Sequence, residues 1–109
     1  MDKLHSANEI ADLIKNNSMA ASYFTGSACG ACGTIKIKIE DILKRFPKIK
    51  SGEINVENHL DLAAKYDIYS VPIFLLYIEG KESIRIGRNL DLLELEANIK
   101  RYYEMILKY

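Results

Sequence analysis

The unbroken apolar run Val71-Pro72-Ile73-Phe74-Leu75-Leu76-Tyr77-Ile78 constrains the fold of this chain more than any other stretch. A half-solvated strand alternates apolar and polar residues, whereas a continuous run suits a strand covered on both faces. Covering both faces of a sheet takes helices on either side, and so three layers. The flanking segments supply them. Ser6-Ala7-Asn8-Glu9 is a capping-box pattern, and Ile10, Leu13 and Ile14 give the helix it opens one apolar stripe until Asn16-Asn17. Ala20-Ala21-Ser22-Tyr23-Phe24-Thr25 reads as a buried strand, followed by Gly26-Ser27.

The next segment carries two periodicities. Thr34-Ile35-Lys36-Ile37-Lys38-Ile39 alternates like a strand, but Ile35, Ile39, Ile42 and Phe46 share one helical face in the longer window. The longer pattern predicts a helix from about residue 30 to 46, stopped by Pro47. Lys48 to Val56 reads as a second strand, and Asn58 is expected to cap a short helix through Leu62, Ala63 and Tyr66. After the apolar run, Glu79-Gly80-Lys81 is a turn, and Ser83-Ile84-Arg85-Ile86 alternates like an antiparallel edge strand. Asn89 is expected to cap the last helix, whose inner stripe is Leu92, Leu95, Ile99, Tyr102 and Ile106. The expected order is αβαβαββα, a single α/β domain over residues 1–109.

Charge excludes some partners. Fifteen basic residues balance fifteen acidic ones, with no long run of one sign, which argues against nucleic acid or an anionic membrane as partner. No stretch approaches the ~20 apolar residues of a membrane span. Met1-Asp2-Lys3-Leu4-His5-Ser6 lacks the apolar run of a signal peptide, so a cytoplasmic protein is expected.

In that compartment structural disulfides are rare, and a Cys-x-x-Cys is more often catalytic or metal-binding. Cys29-Gly30-Ala31-Cys32 holds the only two cysteines of the chain. On a helical turn they share a face with Cα atoms roughly 5–6 Å apart, a spacing that a disulfide bridges without backbone movement. A free cysteine has a pKa of about 8.5; at a helix N-terminus, facing unpaired N–H groups and the dipole's positive end, it falls to roughly 3.5–7.5. Cys29 is expected in the first turn as the nucleophile, and Cys32, one turn in and more buried, as the resolving thiol. Two alternatives compete: inert core cysteines, and zinc. A structural zinc site wants four ligands, and neither His5 nor His59 lies in a ligand-spaced motif, so no metal is expected.

Together these features resemble the thioredoxin family over nearly the whole chain. Cys29-Gly30-Ala31-Cys32 is similar to the family's Cys-Gly-Pro-Cys, Phe24 matches the aromatic of the preceding strand, and Tyr66-Asp67-Ile68-Tyr69-Ser70-Val71-Pro72 resembles Tyr-Gly-Ile-x-x-Ile-Pro. Gly80 and Gly87 match family glycines. The resemblance implies a thioredoxin-like three-layer α/β sandwich, with a central mixed sheet of four to five strands flanked by helices. It implies a cis Val71–Pro72 bond against the active-site disulfide, and a substrate surface of Ala28, Gly30, Ala31, Val71, Pro72 and Gly87. The implied activity is reduction of protein disulfides by dithiol exchange, in the service of electron transport and cell redox homeostasis. No bound cofactor is required, since the redox group is the cysteine pair. The implied partners are disulfide-containing proteins and a separate thioredoxin-reductase-like electron donor, acting on a monomer.

The chain departs from the family pattern at several positions. Ala28 stands where the family carries tryptophan, Ile37 replaces the helix proline, and Tyr23 replaces the buried acid six residues before the first cysteine. Glu53 replaces the lysine that accompanies that acid, and is a possible proton acceptor for Cys32; the alternative is a solvated glutamate at a strand end. A strongly lowered Cys29 pKa would make the couple oxidising and keeps open a disulfide oxidase or isomerase, and the missing tryptophan and buried acid keep open a redox-sensing or adaptor module on the same fold.

Overall fold

The apolar run becomes β4, Ile73–Ile78, in a computed structural model that describes residues 1–88 and 90–107. Leu75 and Leu76 are fully buried and Phe74 nearly so. β4 is antiparallel to β2 (Met19–Thr25), with Tyr23 opposite Phe74 and Ala21 opposite Leu76. On its other side it pairs antiparallel with β5 (Lys81–Ile86). The turn between them is the two residues Glu79 and Gly80, at φ 49° and 81°, the doubly left-handed turn that matches strand twist.

β2 pairs parallel with β3 (Lys50–Asn55), shorter than the stretch 48–56 expected for it. A two-residue strand β1 (Asp2–Lys3), not expected, lies parallel to β3 and gives the order β1-β3-β2-β4-β5. Two residues carry too little periodicity to announce a strand.

Alternation along β2 and β4 separates two cores. Met19, Ala21, Tyr23, Phe74 and Leu76 face Ile39, Ile42 and Leu43 of α2 (Cys32–Leu43), and Leu95 and Ile99 of α4 (Leu92–Ile106). Phe24, Leu75 and Tyr77 face Ile10 of α1 (Ala7–Lys15), and Leu62 and Ala63 of α3 (Leu60–Lys65). The sheet is therefore covered on both sides, as the apolar run demands.

The helix starts differ in detail from expectation. Ser6 Oγ accepts the Glu9 N–H at 3.1 Å, while the Glu9 carboxylate reaches back to the His5 N–H at 3.3 Å, one residue beyond the ideal box. Asn58 does not cap α3. It ends a short 3₁₀ turn, Val56–Asn58, and His59 takes the cap position without a side-chain bond to the helix. Asn55 begins that turn instead, its Oδ1 accepting the Glu57 N–H at 2.8 Å. The expected cap Asn89 lies outside the described residues; Asp91 Oδ1 accepts the Leu93 and Glu94 N–H groups at 3.0 and 3.1 Å.

α2 is a helix, so its buried i, i+4, i+7 face prevails over the local alternation. Ile39 and Ile42 are buried, whereas Ile37 stands 68% exposed where the alternating reading needed an inward residue. The helix is shorter than the expected 30–46: it begins at Cys32, and Lys44 to Phe46 turn away ahead of Pro47.

Candidate active site

β2 delivers the chain to the top of the sheet at Thr25, and a tight loop carries it into α2. The Cys29 N–H donates to Gly26 O, and the Cys32 N–H to Cys29 O, both at 3.3 Å. Cys29 therefore lies in the turn ahead of the helix, not in its first turn as expected; Cys32 is the first helical residue. The closed turn still gives the pair the i, i+3 approach. Their Cα atoms are 5.4 Å apart and the sulfurs are joined in a disulfide. Cys29 is half-buried, while Cys32 is 2% exposed.

The head of α2 leaves the helix dipole uncompensated. Ala31, at the cap, offers no side-chain acceptor, and Cys32-Gly33-Thr34-Ile35 contains no acid. The positive end of the helix thus faces the cysteine turn.

Two further segments close on the pair. The Val71–Pro72 bond is cis, Pro72 is buried, and Val71 O lies 3.7 Å from Cys29 Sγ. A disulfide sulfur has no hydrogen to donate, so this approach is a contact, and becomes a hydrogen bond only in the thiol form. Gly87 belongs to the same corner: a Cβ on it would sit 3.7 Å from Pro72 O. Gly30 is exposed with open space around it, and Ala31 is half-buried. The structure thus brings Cys29, Cys32, Val71, Pro72 and Gly87 together.

Ala28 is exposed, and its N–H donates to Glu57 Oε2 at 3.1 Å. This bond, with further ones from Ser27, holds the Glu57 carboxyl below the usual carboxylate range. Asn55 Nδ2 donates to Ser27 Oγ at 3.2 Å and braces the same loop.

Beneath the pair lies a polar cluster. Tyr23 is fully buried and its hydroxyl donates to Cys32 O at 2.6 Å. Burial, then the nearby Glu53 charge, pushes its pKa up to about 12. Glu53 stands opposite Tyr23 in the β2–β3 register. It is 8% exposed and accepts from Lys36 Nζ at 2.6 Å. The solvated strand-end alternative for Glu53 does not hold: the residue is mid-strand, buried and ion-paired. Its hydrogen bond raises the Lys36 pKa and keeps that ammonium charged. α2 runs unbroken past Ile37, and Lys36, one residue earlier, supplies the charge that Glu53 needs.

His5 and His59 serve elsewhere. The His59 ring nitrogens face Asn55 O at 3.1 Å and His5 O at 3.0 Å, tying loops together. Among the described residues no group of three or more His, Cys, Asp or Glu side chains is placed to hold a metal. No described helix is long and apolar enough to cross a membrane.

Three contacts were not foreseen in the sequence. Arg88 Nη2 donates to Val71 O at 2.7 Å, Glu57 holds the Ala28 amide, and Tyr23 bonds the Cys32 carbonyl. Only Tyr23 carried a signal: it stands where the family has its buried acid.

The thioredoxin family profile matches residues 3–101. The chain belongs to the thioredoxin family. It is 31% identical to the thioredoxin-like protein YdfQ of Bacillus subtilis over 105 residues, 96% of this chain and 94% of that protein. It superposes on the thioredoxin of Fasciola hepatica with a TM-score of 0.81 at 28% identity, covering 93% of this chain and 98% of that one. The oxidized mitochondrial thioredoxin 3 of Saccharomyces cerevisiae shares the fold at a TM-score of 0.82 and 24% identity, over 93% and 94% of the two chains. With its cysteine pair at disulfide distance, this thioredoxin-family chain is a thiol–disulfide oxidoreductase with protein-disulfide reductase activity.

Proposed function

We propose that Cys29 is the attacking thiol and Cys32 the resolving thiol of a cytoplasmic protein-disulfide reductase. The observation that carries this reading is the asymmetry of the pair: Cys29 is half-buried beside Val71 O, and Cys32 is 2% exposed under the first turn of α2. The Cys29 thiolate attacks one sulfur of a substrate disulfide. An S–S bond forms to Cys29, and the other substrate sulfur leaves as a thiolate that takes a proton from water. Cys32, deprotonated, then attacks Cys29 Sγ, which closes the internal disulfide and expels the second substrate thiolate. Two electrons pass from the dithiol to the substrate. A separate thioredoxin-reductase-like donor restores them, which makes the chain a carrier in electron transport and redox homeostasis. The chain acts as a monomer.

Val71, Pro72 and Gly87 line the substrate surface beside Cys29, and Ala28, Gly30 and Ala31 flank Cys29 along the chain. Small side chains at 28, 30 and 31 leave Cys29 open to a protein partner. Glu53 takes the proton from Cys32. It is the one buried carboxylate among the described residues, and stands beside the tyrosine bonded to Cys32 O. Lys36 Nζ donates to it at 2.6 Å.

Insulin reduction in the presence of dithiothreitol tests the reading. Turbidity well above background is expected from the wild type, and none from Cys29→Ser. A wild-type rate at background contradicts it and favours an adaptor. A reduction potential far above the cytosolic poise favours the oxidase. Titration of Cys32 in wild type and Glu53→Gln tests the proton acceptor, and identical curves remove Glu53 from the mechanism.

A further inference from the structure

We propose that Arg88 is a specificity-determining residue of the exchange site: its uncommitted guanidinium selects disulfides with acidic neighbours and stabilises the Cys29 thiolate. This rests on the exchange reading above and adds to it the chemical class of substrate.

Two contacts converge on one oxygen. Arg88 Nη2 donates to Val71 O at 2.7 Å, and Cys29 Sγ touches the same oxygen at 3.7 Å. The guanidinium nitrogen and the sulfur are therefore separated by no more than the sum of those distances, about 6.4 Å. A carbonyl oxygen so near a developing thiolate is by itself unfavourable, since both are negative. A cation bonded to that carbonyl reverses the sign of the local field.

The remaining charge of Arg88 is unspent. Arg45 and Arg85 are held by the carboxylates of Glu96 and Glu82. Arg88 is exposed and makes no ion pair among the described residues, and a guanidinium has five donors. The acids of the neighbouring elements make no ion pair with it among the described residues. Asp91 and Glu94 line the same cavity of about 410 Å³, but Asp91 Oδ1 is engaged at the cap of α4. Glu57, in the 3₁₀ turn after β3, accepts the Ala28 N–H of the loop before Cys29. A substrate segment lying against Val71 thus meets free N–H donors and a positive charge on the Arg88 side. The chemistry that fits is an aspartate or glutamate close to the attacked cysteine.

The test uses two synthetic peptides with the same internal disulfide, one flanked by glutamates and one by lysines. Their reduction rates are measured at low salt with wild type, Arg88→Lys, Arg88→Gln and Arg88→Glu, and the pH midpoint of Cys29 alkylation is measured for each protein. An exposed charge pair of this kind is worth roughly a two- to fivefold preference for the acidic peptide, weakening with added salt. Arg88→Lys is expected to keep most of it, Arg88→Gln to abolish it and Arg88→Glu to invert it. The alkylation midpoint is expected to rise by about half to one pH unit in Arg88→Gln. Melting curves of the four proteins identify any variant lost to misfolding, and the Arg88→Lys and Arg88→Gln pair alone decides. A preference unchanged between wild type and Arg88→Gln overturns the inference while leaving the exchange reading standing. Failure of wild type to reduce either peptide overturns the exchange reading and this inference with it.

Discussion

Helix α2 begins at Cys32-Gly33-Thr34, where Ala31 offers the backbone no side-chain acceptor, and ends among Ile39, Ile42 and Leu43, packed on the sheet. At the first end small residues surround the cysteine turn, and Cys29 and Gly30 meet solvent. At the second, Arg45 donates to both carboxylate oxygens of Glu96 at 2.8 Å, fastening α2 to α4. The comparison separates two demands on one helix. Reactivity needs a dipole end left without a side-chain counter-charge, and such an end contributes little to folding. The buried end therefore anchors the helix, and Tyr23, reaching up from β2, ties the sheet to the reactive end through a buried bond to Cys32 O.

Substitutions at each end are expected to separate these demands. Cys29→Ser has the largest effect: insulin reduction falls to background, while the melting temperature stays close to that of the reduced wild type. Ile39→Ala breaks the other end. Removing a fully buried isoleucine is expected to cost about 2–5 kcal/mol in denaturant unfolding, with the Cys29 alkylation midpoint unchanged in the folded protein. If that midpoint moves, the two ends are coupled and the comparison fails. Tyr23→Phe, between them, removes one hydrogen bond and is expected to lower stability by about 1 kcal/mol.

The alkaline limb of stability sharpens the role of the link. Tyr23 and Tyr77 are both pushed up to about 12 in the fold, chiefly by burial. In the unfolded chain they ionise near the ordinary value of about 10. Because the fold favours their neutral forms, this contribution is complete below about pH 10 and is lost as pH rises toward about 12. Unfolding midpoints across that window are expected to fall less steeply for Tyr23→Phe than for wild type; parallel curves would show that the Tyr23 hydroxyl carries none of the dependence.

The layered fold was legible because its signals are long. The run 73–78 demands two covers, and the i, i+4, i+7 row of Ile35, Ile39 and Ile42 outlasts the alternation of Thr34–Ile39. Two short cap signals were overridden. Asn58 and Asn89 both resemble caps, yet a 3₁₀ turn uses up Asn58, and Asp91 holds α4 from a position nearer its first turn. The cysteine pair was legible by spacing, although the helix starts at the second cysteine and not the first. Arg88 was not legible. A lone surface arginine has no pattern, and its significance comes from the fold bringing the loop after β5 over the Val71 carbonyl, 17 residues away in the chain.

The acidity of Cys29 is the most direct test. In the reduced protein, the rate of iodoacetamide alkylation is followed against pH, with mass mapping of the modified cysteine. Cys29 is expected to react first, with a midpoint well below the about 8.5 of a free cysteine. A midpoint at or above that value, or first modification at Cys32, would contradict it.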